Sequence, residues 1–338
     1  MKLLFILTFS FLGIINPDES DQEFGNPLEG KIIIIDPGHG GTAETDSYRV
    51  GPTGEREEWV NLRVGIILKE LLEEKGAKVI MTRTEDDNIS LSDRAEMAVE
   101  NDADLFLSIH HNATADPKVN FPIIYFHGNA SENKGSVALG KKIARYLSEQ
   151  FYSEETQHSL VSDFTIFPRG GTGVLKGTYG IPAVIAEASF FTNPAEEERL
   201  KQKEHTLKEA QGFLAALEAF FAEPVPPILE KYSEVERLPV FRVFQEAERV
   251  NETARLWHQD YLQGKELMKN DDLEFKKKAY ELFTRSARSF PDSYVAGDCH
   301  RYRSIILKEI GKEEEARNAA RRVKEFFVCA ENSEHQKE

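Results

Sequence analysis

The chain has 338 residues, a length that allows about two domains and a sizeable buried core. Its formal net charge of −16 excludes a general nucleic-acid binder, which needs a basic surface. Cys299 and Cys329 are too few for a disulfide framework and read as two free thiols in helices, with a single bridge as the alternative.

Met1-Lys2 is followed by 13 mostly apolar residues, Leu3 to Ile15. One positive charge before a run of that length fits a secretory signal, and the run is short for a transmembrane helix. Asn16-Pro17-Asp18 follows without a small-x-small cleavage pattern, and residues 1–17 are assigned to the signal. No other stretch approaches membrane-spanning length, so an exported protein without a transmembrane span is expected once the signal is removed.

Four consecutive isoleucines, Ile32 to Ile35, stopped by Pro and Gly, read as a buried strand. Asp36-Pro37-Gly38-His39-Gly40-Gly41 comes next, and its glycines permit a tight turn with open space around one imidazole. His39 suits a metal or catalytic residue, or a turn histidine facing water. Asp36 either orients His39 or caps the turn. Gly51-Pro52-Thr53-Gly54-Glu55-Arg56-Glu57 then leads into a helix with Val60, Val64, Ile67, Leu68 and Leu71 on one face and Gly76 as its stop. Glu57 lies in the first turn, where the helix dipole favours any carboxylate.

A second strand, Leu105 to Ile109, ends in His110-His111-Asn112-Ala113. Strand alternation points neighbours apart, so His111 is not expected to join His110. A strand near Ile123 to Phe126, a helix from about Ser136 to Ser153 and a strand near Phe164 to Phe167 follow, then the turn Gly170-Gly171-Thr172-Gly173. Ala183 to Ala186 is a further strand, ending in Glu187. Ligands of open α/β sheets bind outside the carboxyl ends of strands, which brings His39, His110 and Glu187 to one place. With Glu57, two histidines and a glutamate make the ligand set of a catalytic zinc site, with water in the fourth position.

Glu223-Pro224-Val225-Pro226-Pro227 is a linker whose prolines cannot continue the helix ending near Phe221. From Leu238 the chain reads as all helical. Ala254 to Met268, Leu273 to Ser289, Ser293 to Glu309 and Lys312 to Phe327 are the four helices, with a further helix from Val240 as a cap. They read as two degenerate tetratricopeptide-type units, or as a plain bundle packed on the rest. The expected fold is therefore α/β, a mostly parallel or mixed central sheet flanked by helices, followed by a smaller all-helical domain. The boundaries are 28–222 for the first domain, 223–237 for the linker and 238–330 for the second.

Taken in order, the quoted motifs resemble the zinc-dependent N-acetylmuramoyl-L-alanine amidases of bacterial cell-wall turnover. They are the Asp36 to Gly41 strand end, Gly51-x-x-Gly54-x-x-Glu57 with Val60-Asn61-Leu62, Met81-Thr82-Arg83, Leu91-x-x-Arg94, Ser108-Ile109-His110, Val174-Leu175 and Pro182-Ala183-Val184 with Glu187. The resemblance covers roughly Lys31 to Phe221. It implies that His39, Glu57 and His110 bind zinc and that Glu187 is the catalytic carboxylate. Glu55 and Glu58 share the helix start, but only Glu57 has the family's spacing to Gly54 and Leu62.

The implied reaction is hydrolysis of the amide between N-acetylmuramic acid and L-alanine of peptidoglycan, in cell-wall remodelling or daughter-cell separation. That substrate places the protein in the periplasm or cell envelope, with a protein partner expected on the helical domain. One alternative is a non-catalytic peptidoglycan-binding scaffold recruiting partners through those helices, although a pure binder has no use for Glu187. Another is a zinc hydrolase acting on a different amide. The chain departs from the family at Glu58, at Thr192-Asn193-Pro194 and in the loop from Thr42 to Tyr48. Some members carry an inhibitory helix between the second histidine and the catalytic glutamate. Here that interval is already filled, so a fragment of about Gly25 to Ala222 is expected to be active unaided.

Overall fold

The computed structural model describes residues 25–41, 49–151, 157–244, 248 and 251–328. The signal segment, the loop from Thr42 to Tyr48, Ser153 and Cys329 lie outside them. Among these residues, six strands form one sheet: β1 (Ile32–Pro37), β2 (Lys78–Met81), β3 (Leu105–Asn112), β4 (Ile123–Phe126), β5 (Ser159–Ser162) and β6 (Ala183–Phe190). Their spatial order is β2-β1-β3-β6-β4-β5. The first four in that order are mutually parallel, β4 runs antiparallel to β6, and β5 is parallel to β4. The carboxyl ends of β1, β3 and β6 therefore share one edge of the sheet.

Alternation along β1 separates two cores. Ile33 and Ile35 face α1 (Glu57–Glu74), α3 (Lys134–Phe151) and α6 (Lys203–Phe221), packing with Val64, Leu68, Leu139 and Phe213. Ile34 faces the other way, with Phe106, Tyr125, Ile185 and Phe190. That second face is covered by α2 (Leu91–Glu100) and the short α4 (Gly173–Gly177), and also by the chain beyond residue 238. There α7 (Glu252–Arg255), α8 (Trp257–Leu267), α9 (Leu273–Ser289), α10 (Ala296–Glu309) and α11 (Glu313–Phe326) follow one another, and α8, α9 and α10 each pack on the next. Trp257, Phe283, Phe290, Val295 and Phe327 belong to the same apolar core as the sheet residues. The Val328 N–H donates to the Leu160 carbonyl at 2.9 Å, tying the end of the helical region to β5.

The expected mixed sheet flanked by helices, with further helices after it, is the architecture found. Some elements differ. The strand placed near Phe164 to Phe167 is instead β5, Ser159–Ser162, followed by a single 3-10 turn at Asp163–Thr165. Ser162 Oγ accepts the Phe164 N–H, and Asp163 Oδ2 accepts the Thr172 N–H at 2.8 Å. Such local side-chain bonds draw the backbone out of the ladder. Residues 240–244 are not helical: Phe241 is held between the guanidinium groups of Arg303 and Arg322, at 4.5 and 5.7 Å from its ring centre. Cys299 is a buried free thiol. Among the described residues no helix is long and apolar enough to cross a membrane.

Candidate active site

His39 sits just beyond β1 with φ of 59°, a left-handed conformation that costs energy for a residue with a Cβ. Two buried arginines hold that turn. Arg83 donates to the carbonyls of Pro37 and Gly38 at 2.8 and 2.9 Å, and Arg94 donates to those of Pro37 and His39 at 2.9 and 2.6 Å. Gly38 is required by space, since a Cβ there would lie 2.2 Å from the His110 ring. Asp36 neither orients His39 nor caps the turn. It accepts from Thr82 Oγ1, Arg94 and Ser108 Oγ, each at 2.6 Å, and so anchors the arginine that supports His39.

Glu57 enters from the first turn of α1 and is buried. Its Oε1 lies 2.9 Å from His110 Nδ1 and 3.1 Å from His39 Nε2. The donor atoms of His39, Glu57 and His110 all fall within 4.8 Å of one another. Tetrahedral zinc with bonds of about 2.0–2.1 Å needs donor atoms roughly 3.3 Å apart, so the set fits that ion. It already draws a cation: Arg49 Nε stands 3.1 Å from His39 Nε2 and 3.7 Å from Glu57 Oε2. Burial opposes ionisation of Glu57, but the two imidazoles hold its carboxyl well below the usual range. Burial lowers His39 despite Glu57, whereas at His110 burial is outweighed by the hydrogen bond to Glu57 and the charge of Glu187, and that ring is raised.

Glu187 pairs in register with His110 across the β3–β6 ladder. Its carboxyl is pushed up to about 7, chiefly by burial, with Glu57 and Asp292 adding to the rise and His110 and His111 opposing it. Its Oε2 is buried without a hydrogen-bond partner. A carboxyl balanced near neutrality can both take and return a proton. The four residues singled out in the sequence thus meet at one sheet edge.

His111 faces the opposite side, as alternation requires. It bonds Asn61 Oδ1 at 2.8 Å and Glu209 Oε2 at 3.1 Å. Asn61 in turn donates to Glu57 Oε1 and to the Gly38 carbonyl, both at 3.3 Å. These supporting roles were not legible, although the fixed Glu57–Asn61 spacing of one helical turn was a signal. Asp292, which accepts a hydrogen bond from Tyr125, had no local signal at all.

The family model for N-acetylmuramoyl-L-alanine amidase matches residues 33–219, more than half of the chain. The chain belongs to the N-acetylmuramoyl-L-alanine amidase family. Among amidase relatives, the germination-specific N-acetylmuramoyl-L-alanine amidase of Bacillus subtilis is 28% identical over 237 residues, covering 66% of this chain and 93% of that protein. The probable cell wall amidase LytH of Staphylococcus epidermidis is 30% identical over 208 residues, covering 60% of this chain and 63% of LytH. The CwlD amidase from Clostridioides difficile, solved in complex with the GerS lipoprotein, superposes with a TM-score of 0.50 at 25% identity, covering 57% of this chain and 99% of CwlD. The amidase match stops before the helical region, where Asp292 lies in a turn between two helices.

Proposed function

We propose that the protein hydrolyses the amide joining the lactyl carboxyl of N-acetylmuramic acid to L-alanine in peptidoglycan stem peptides, with zinc held by His39, Glu57 and His110 and with Glu187 as the catalytic carboxylate. The observation that carries this reading is the meeting of three donor atoms within 4.8 Å, beside a carboxyl held at about 7, in a chain of the amidase family. Zinc bound there would supply Lewis acidity, lowering the pKa of water and polarising the amide carbonyl.

The remaining chemistry is proton movement. An amine leaves a tetrahedral carbon only if its nitrogen gains a proton as the C–N bond breaks. A buried carboxyl whose surroundings favour its acid form can serve both ends of the reaction: ionised, it takes a proton from the attacking water, and as the acid it returns that proton to the departing alanine nitrogen. Arg83, Arg94 and Asn61 keep the His39 turn and Glu57 in place while this happens.

Such a substrate lies outside the cytoplasmic membrane, and we read Leu3 to Ile15 as the export signal to the periplasm or envelope. The CwlD relative, solved in complex with a lipoprotein, supports a protein partner for the amidase part of this chain. Digestion of purified peptidoglycan tests the reaction. Mass spectrometry should find stem peptides with a free L-alanine amino terminus and glycan with free lactyl carboxyls. Intact amides, or cleavage at another bond, would sink the proposal.

A further inference from the structure

A ligand on the first turn of a helix is aimed by the loop that enters the helix. For Glu57 that loop is Gly51 to Arg56, and it is shaped from outside by Glu197, in α5 (Pro194–Leu200). Glu197 is fully buried. Its Oε1 accepts the N–H groups of Thr53 at 2.9 Å and Glu55 at 3.0 Å, and its Oε2 also lies 2.9 Å from the Thr53 nitrogen. Gly51 packs directly on the carboxylate, where an added Cβ would come within 2.4 Å of Oε1. Gly51 N–H donates to the Glu55 carbonyl at 2.8 Å, closing the loop around this point. Among the described residues no lysine or arginine forms an ion pair with Glu197. The loop N–H groups are its hydrogen-bond partners.

We propose that Glu197 is a positioning residue for the metal centre: by gripping the Thr53–Glu55 backbone it fixes the entry of α1, so that Glu57 meets His39 and His110. The proposal rests on the zinc reading above. It explains why an acid is needed. A carboxylate offers only acceptors to converging N–H groups, whereas an amide turns one of its two heads into a donor facing donors. Supporting residues of metal ligands typically tune affinity rather than chemistry, by about 10–100-fold.

The test is the zinc affinity of the full chain, measured by competition with a chelating dye, alongside the melting temperature of the metal-free protein. Glu197→Gln should weaken zinc about 10–100-fold while the metal-free protein still unfolds in one cooperative transition, its melting temperature lowered by only a few degrees. Turnover should return to near wild-type values at saturating zinc. Gly51→Ala, pressing on the same carboxylate from the loop side, should weaken zinc in the same direction. Unchanged zinc affinity in Glu197→Gln, or a loss that merely follows loss of the fold, overturns the inference. If the wild type itself binds no zinc, the metal reading fails instead, so the two failures are distinguishable.

Discussion

The ring of Phe290, from the helical region, lies 6.3 Å from the ring of Phe190, the last residue of the strand that carries Glu187. Phe121 joins them at 5.8 Å from Phe290 and 5.4 Å from Phe190. The C-terminal helices are thus part of the core beneath the site rather than an appendage. Aromatic pairs of this kind add about 0.5–1.5 kcal/mol beyond the area they bury.

The fragment Gly25 to Ala222, read from the filled His110 to Glu187 interval as active unaided, is therefore expected to be unstable. Cutting after Ala222 uncovers Tyr125, Val161, Ile185 and Phe190, which the helices bury. We expect low soluble yield and a lost or strongly lowered melting transition. In the full chain, Phe290→Ala should cost about 3–5 kcal/mol by denaturant titration. A fragment as stable and active as the full chain would contradict this.

Metal removal is the next expectation. Exhaustive chelation should abolish amidase activity and added zinc should restore it. His39→Ala and His110→Ala should lose the metal itself, measured by elemental analysis. Glu187→Ala should retain metal and peptidoglycan binding but turn over at least about a hundredfold more slowly. Near-wild-type turnover in that variant would remove Glu187 from its proposed role.

Asp292 adds negative charge beside Glu187 and so disfavours its ionised form. Removing that charge should lower the Glu187 carboxyl. Asp292→Asn is therefore expected to move the acid limb of the kcat/KM profile to lower pH. An unmoved limb, with the fold intact by circular dichroism, would show that Asp292 does not act on the working enzyme.

Acid stability should depend on Glu196. Burial opposes its ionisation, but hydrogen bonds from His205 and Arg199 outweigh this and hold the carboxyl at about 2, against an ordinary 4.5. A lowered folded-state value stabilises above the unfolded value, and the gain is lost as pH falls from about 4.5 towards 2. The shift corresponds to at most about 3 kcal/mol, less in practice because Arg199 is half exposed. Glu196→Gln should flatten the stability curve across that window; an equally steep curve would refute the assignment.

Local patterns determined much of this protein. Ile32 to Ile35 with its Pro-Gly stop, the apolar face after Glu57, and the strands leading to His110 and Glu187 are each readable from a few neighbours, although those two strands run on to Asn112 and Phe190. The parallel-sheet rule then gathers their ends. Helix α9 was legible over its whole length, Leu273–Ser289, because its apolar period is strong and Asp272 caps it. Tertiary structure decided the rest. Nothing near Asp36 announces that its partner is Arg94. Ser159–Ser162 and Phe164–Phe167 are both apolar enough for a strand, and pairing with β4 chose the first. The docking of Phe290 and Asp292 on the sheet depends on complementary faces that are distant in the chain. Periodicity reveals that such a face exists, but only packing selects which face it meets.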